Sequence, residues 1–202
     1  VIFILMQLDD LSDEDLMLSY RDGTAAAFDV LYARHKGGLY RYVLRQLNNQ
    51  QEIAAELFQD VWMKVINARL KYQATAKFTT WLYHLAHNRL VDYWRSTKHE
   101  KHKVEYVAES AEETQIYEQS MPGHHSEPHN ELQQTQIRQQ IKQAIADLPE
   151  EQRSAILLKE EGALSLAEIA EVTGVNRETV KSRLRYGIKS LRGVLHPLRP
   201  VS

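Results

Sequence analysis

The sequence predicts an all-α fold of two small helical domains joined by a flexible linker, and three observations predict it. No proline occurs before Pro122 and no glycine lies between Gly38 and Gly123, so the first half holds a long stretch without helix breakers. Apolar residues recur at intervals of three and four in both halves. Between the halves, residues 105–130 lose that period and turn acidic and polar, with Pro, Gly and His at the end. Such a stretch cannot bury enough apolar surface to order itself.

The elements follow in order. Ser12 caps a first helix whose opening turn carries Asp13, Glu14 and Asp15, with Leu11 and Leu16 spaced as a hydrophobic staple. A second helix carries Phe28, Leu31, Tyr32, His35, Leu39, Tyr42 and Val43 on one stripe. A third repeats Ile53, Leu57, Phe58, Val61, Trp62 and Val65. A fourth, from about Phe78 to Trp94, turns Trp81, Leu82, Leu85 and Ala86 inward. A tether of about thirty residues spans roughly 30 Å as a coil, so the units on either side can be set well apart. Beyond it, Ile137, Ile141, Ile145 and Leu148 mark an amphipathic helix, and Pro149 opens another that ends at Gly162. Ser165 and Glu168 form a capping box, Gly174 makes a tight turn, and Asn176 caps the last helix.

Charge is segregated along the chain although its net value is only −2. Residues 1–33 and 105–136 are acidic, while 34–104 and 165–202 are basic. Two basic blocks separated by an acidic one suggest two sites for a polyanion. There is no cysteine, so neither disulfides nor thiolate metal sites are available, which fits a reducing cytosol. The opening "VIFILM" is too short for a signal or a membrane span, and a start at a non-Met codon or at Met6 is the plain reading. Histidines pair at i, i+3 (His84 with His87, His99 with His102) and cluster in "HHSEPH". They lack the four well-held ligands that zinc wants, so no metal is expected. No phosphate loop or nucleophile triad occurs, so neither catalysis nor a cofactor is expected.

The stretch "LSLAEIAEVTGVNRETVKSRLRYGIKSL" (164–191) reads as a helix-turn-helix. On its last helix Val180, Leu184, Ile188 and Leu191 fall within an arc of about 80° at 100° per residue. Lys181, Ser182, Arg185, Lys189 and Arg192 cluster on the next face, with Glu178 at its head. That face suits the major groove, where Arg and Lys reach phosphates and guanine while Glu accepts from cytosine. Upstream, "KFTTWLYHLAHNRLVDYWRSTKHEKHK" (77–103) interleaves aromatics with cations. Stacking rings and phosphate-tracking charges are what single-stranded nucleic acid requires. Trp81 alone is more easily read as core.

The helix-turn-helix by itself resembles both LuxR-type regulators and region 4 of sigma factors. A LuxR-type protein needs a sensing or receiver domain, and 1–135 shows no alternating β/α pattern. Instead, "ELFQDVWMKVINARLKYQATAKFTTWLYHLAHNRLVDYWR" resembles region 2 of the sigma-70 family in its extracytoplasmic-function (ECF) form, through "DVW", "FTTWL" and "AHNRLVDYWR". "LPEEQRSAILLKEEGALSLAEIAEVTGVNRETVKSRLRYGIKSLR" resembles region 4. A metal-dependent hydrolase on the bundle's histidines and a sigma-like adaptor that cannot melt DNA are the remaining rivals.

The resemblance implies an extension and first helix at 1–24, region 2 at 25–104, an acidic linker at 105–134, region 4 at 135–196 and a tail at 197–202. It implies a non-enzymatic, cytoplasmic sigma factor that brings core RNA polymerase to promoter DNA and helps open it, in a stress or envelope response. Glu56, Gln59, Asp60 and Met63 would dock on the polymerase β′ clamp, and region 4 on the β flap. The loop 71–77 with Lys77, Phe78, Trp81, Asn88, Arg89 and Arg95 would capture and melt the −10 element. Arg177, Glu178, Lys181, Ser182 and Arg185 would read the −35 element. The acidic linker would follow the polymerase near its RNA exit path. An anti-sigma factor is an implied partner, and direct membrane insertion is not.

Overall fold

The computed structural model describes the backbone of residues 8–103 and 128–195, with side chains over 8–97, 135 and 137–193. Every regular element in that range is helical. Helix α1 (Asp13–Arg21) begins where the sequence predicts, since the Ser12 side chain accepts the Asp15 N–H at 3.1 Å. Helix α2 (Ala25–Gln46) runs into a turn where Asn48 and Asn49 adopt φ of 52° and 65°. Asparagine is one of the few residues that tolerate this left-handed backbone. Helix α3 (Gln51–Ala68) tightens into a 3-10 turn (Arg69–Lys71), and α4 (Phe78–Lys103) continues past Trp94.

Helix α5 (Pro128–Ala146) begins inside the stretch read from sequence as linker. Proline at its head is compatible with a first turn, where the missing N–H would have had no intrahelical acceptor. Helix α6 (Glu150–Glu160) has Pro149 as its cap, one position before the expected first turn. Helices α7 (Leu166–Thr173) and α8 (Arg177–Leu195) complete the chain. The expectations for "VIFILM", for the acidic linker over 105–127 and for the tail at 197–202 fall outside the described residues, as do those for the side chains of His99, His102 and "HHSEPH".

Helices α1–α4 form a bundle around Leu16, Met17, Leu31, Leu39, Tyr42, Leu57, Phe78, Leu82 and Leu90, all fully buried or nearly so. The second half packs α5, α6 and α7 around α8. Tyr32 lies at the margin of its stripe, with its ring 5.0 Å from Trp62 in an edge-to-face contact. Ile188, at the rim of the predicted apolar arc, is exposed, while Val180 and Leu184 are buried.

The halves that a tether can set apart are docked in this structure, and one buried apolar cluster runs through both. Helix α2 meets α5 and α6, and α4 meets α7. Arg153 on α6 donates to the Asn48 side chain at 2.6 Å and to the Ala146 carbonyl at 2.8 Å. The Tyr83 hydroxyl donates to the Glu161 carbonyl at 2.7 Å. The Glu161 carboxylate accepts from Arg41 at 2.7 Å and also from Arg45.

Candidate nucleic-acid interface

The first candidate surface is built by the turn that feeds α4. Glu14 of α1 accepts the Phe78 backbone N–H at 2.6 Å, doing for α4 what a local cap does elsewhere. Phe78 then enters the core completely, its ring 5.4 Å from His35, 6.4 Å from Tyr72 and 5.7 Å from Trp81. The resemblance implies a part for Phe78 in capturing a base; in the structure its ring is fully buried, in contact with the ring that follows it on α4. That ring is Trp81, half-buried and 5.1 Å from Tyr72.

Tyr72, Gln73, Thr75, Ala76, Thr80, Trp81, His84 and Glu171 line a cavity of about 120 Å³. The Thr80 hydroxyl at its wall is buried and has no hydrogen-bond partner within the protein. Tyr72 is also buried, and burial, with Glu14 and Asp13 nearby, pushes its phenol up to about 12, so it stays protonated. The hollow therefore has an indole on one side and unsatisfied hydrogen-bonding groups on another. Lys77, next in sequence to the lining residue Ala76, is largely exposed, with Nζ 3.1 Å from Glu168. Thr80 was not singled out in the sequence and Tyr72 entered only as part of the loop 71–77, because an unmet hydrogen bond and a covered ring are created only by packing.

The other residues assigned to this surface lie further along α4. Asn88 is exposed and bonds His84 at 3.1 Å, and Arg95 is exposed. Arg89 donates to Asp60 at 2.8 Å. That bond joins two residues expected to serve different partners, and it ties α3 to α4. Glu56, Gln59 and Met63 are exposed on α3, with Asp60 on the same face at spacings of three and four.

The second surface is the helix-turn-helix. The Ser165–Glu168 box closes as predicted, with the Ser165 N–H donating to Glu168 at 2.7 Å. Those hydrogen bonds from Ser165, against partial burial and with help from Lys77, hold the Glu168 carboxyl at about 2. Gly174 takes φ 67°, the left-handed turn that brings Val175 N–H onto the Ala170 carbonyl. Asn176 accepts the Thr179 N–H at 2.8 Å and starts α8. Arg177, Glu178, Lys181 and Arg185 are exposed along α8, with Ser182 half-buried beside them. Arg185 stacks over Tyr186, its guanidinium 4.9 Å from the ring centre. Among the described residues no three metal-ligating side chains come together, and no helix is long and apolar enough to cross a membrane.

Residues 31–100 match the family described as sigma-70 region 2, and 138–191 match sigma-70 region 4. The chain is 30% identical to the ECF RNA polymerase sigma factor SigL of Mycobacterium tuberculosis, over 86% of this chain and 92% of that protein. It is 28% identical to the sigma factor CarQ of Myxococcus xanthus, over 90% and 97%. It is 29% identical to the ECF sigma factor SigW of Bacillus subtilis, over 88% and 94%. The fold is similar to that of the sigma factor RpoE from Bartonella quintana, solved with the anti-sigma factor NepR, at a TM-score of 0.65 and 19% identity over 85% of this chain and 98% of that one. CnrH, solved with the cytosolic domain of CnrY, gives 0.61 and 19% over 92% and 97%. The chain belongs to the sigma-70 family of RNA polymerase sigma factors, in its extracytoplasmic-function group, and directs RNA polymerase to promoters for transcription initiation.

Proposed function

We propose that this sigma factor divides promoter recognition between its two surfaces and works by binding alone, in the cytoplasm. The exposed face of α8, through Arg177, Glu178, Lys181, Ser182 and Arg185, lies in the major groove of the −35 element. The hollow beside Lys77 receives an unstacked base of the −10 element. Taking a base from the stack costs a few kcal/mol, and a fitted pocket with an aromatic wall and hydrogen-bonding groups offsets it. The observation that carries this reading is the buried, unpartnered Thr80 hydroxyl at a cavity wall beside Trp81. Asn88, Arg89 and Arg95 extend the basic track along α4, and Phe78 supports the pocket from below.

Glu56, Gln59, Asp60 and Met63 present the surface that docks on the β′ clamp of core polymerase, while region 4 meets the β flap. In that assembly the Asp60–Arg89 pair links the docking surface to the melting helix. An anti-sigma factor is the natural regulator of such a chain, and an envelope or stress response its setting; RpoE, which shares the fold, was solved with the anti-sigma factor NepR, and CnrH with the cytosolic domain of CnrY. Run-off transcription with purified core polymerase and promoter fragments from the host genome tests the proposal. Promoter-dependent transcripts are expected, and Asp60→Ala is expected to lower them by weakening core binding. Initiation no different from core polymerase alone would refute it.

A further inference from the structure

Helix α8 carries an aromatic ring that the core does not account for. Tyr186 is 53% exposed and lies outside the apolar cluster that holds Val180 and Leu184. What it packs on is its neighbour in sequence. The Arg185 guanidinium carbon stands 4.9 Å from the ring centre, and an Nη2–H donates to the Tyr186 hydroxyl at 3.3 Å. Among the described residues no carboxylate pairs with Arg185, whereas Lys181 has Glu178 at 3.8 Å. An aromatic face, rather than an ion pair, therefore holds this guanidinium in place.

The position of the pair gives that contact a use. At 100° per residue Ser182 leaves the helix between Arg185 and Tyr186, about 60° from the first and about 40° from the second. Side chains on a helix lean toward its N-terminus, so both lean toward Ser182 and the end of α8 that carries base-reading residues in a helix-turn-helix. A free arginine samples many rotamers and loses them on binding, while a planar fork held against a ring has already given them up. Only one N–H of the fork is engaged by tyrosine, which leaves donors for the O6 and N7 edge of guanine. A phosphate contact tolerates a mobile cation. A paired contact to a base edge does not, because two N–H groups must be aligned at once.

We infer that Tyr186 is a positioning residue for −35 recognition, holding the Arg185 guanidinium on the exposed face of α8 for a paired contact to one guanine. The inference rests on the proposed reading of α8 and deepens it, by naming the base type that Arg185 reads and the residue that sets this preference.

The test uses holoenzyme assembled from the full chain and a promoter identified by run-off transcription. Equilibrium binding is measured on duplex fragments in which each −35 base pair is replaced in turn. The parent should lose about tenfold when one particular G·C pair is replaced, the discrimination that a paired arginine contact supplies. Tyr186→Ala should weaken binding to the unaltered promoter by about threefold and leave binding to the fragment lacking that pair unchanged. Its salt slope should match the parent's, because the charge remains. Tyr186→Phe keeps the ring and should restore most of the loss. Arg185→Lys keeps the charge without the fork and should erase the preference at that pair. Far-UV circular dichroism checks that each variant keeps its helices. No loss in Tyr186→Ala, or an equal loss on every fragment, would overturn the inference. So would an Arg185→Ala variant that weakens all fragments alike and lowers the salt slope by about one, as loss of a phosphate contact does. The two ideas separate cleanly: if Lys181→Ala lowers the slope while Tyr186→Ala changes nothing, α8 keeps its reading role and Tyr186 loses its own.

Discussion

Glu14 shows how a single residue reaches the proposed DNA-reading surface without touching it. Its carboxylate accepts the first N–H of α4 from 64 positions away, fixing the turn that presents Lys77 and Trp81. Glu14→Ala should lower stability by about 1 kcal/mol, the usual worth of a helix cap, seen as a lower urea midpoint. Glu14→Gln, which keeps an acceptor, should recover much of that loss. At the other surface, Lys181 is exposed and only loosely paired with Glu178 at 3.8 Å, so it is available to phosphate. Lys181→Ala should weaken promoter binding and lower the slope of log affinity against log salt by about one. An unchanged slope in a folded variant would remove α8 from the reader's role. Residues such as Lys181 were legible because helical period alone puts them on the outer face. Glu14 was not, since nothing local links it to Phe78.

At the scale of the element, the caps decided how much could be read in advance. Ser12, Ser165, Gly174 and Asn176 each use a side chain or backbone freedom that satisfies groups within four residues, so sequence spacing suffices to find them. Ser165→Ala should cost about 1 kcal/mol and be visible as a lower melting temperature. The same box also sets an acid response. Glu168 is held at about 2, below its ordinary 4.5, chiefly by the Ser165 hydrogen bonds. Its contribution is therefore complete above about pH 4.5 and is lost as pH falls toward 2. Amide protection in α7, taken relative to the intrinsic exchange rate at each pH, should fall across that window, and Glu168→Gln should flatten the response. The start of α5 at Pro128 was harder to see, because residues 128–134 share the polar composition of the tether and lack an apolar stripe.

For the whole molecule, the two-domain composition was legible but the docking of the domains was not. Arg41 and Glu161 are 120 positions apart, and neither lies in a pattern that names the other. His87 also sets a pH response. His87, on α4, is held at about 4 by burial, with His84 on its own helix and Arg183 on α8 adding repulsion, and its Nδ1 lies 3.4 Å from the Tyr42 hydroxyl of α2. A depressed histidine leaves the compact form fully stable above its ordinary value of 6.5 and weakens it by about 1.4 kcal/mol per unit as pH falls from there toward 4. Melting temperatures measured across that range should fall, and His87→Gln should reduce the dependence. The central claim, that this chain opens promoters through the hollow beside Trp81, is tested most directly by run-off transcription with core polymerase on paired templates, one fully duplex and one already unpaired across the −10 element. The account predicts that Trp81→Ala abolishes most initiation on the duplex and spares it on the opened template; equal activity of the parent and Trp81→Ala on duplex DNA would contradict it.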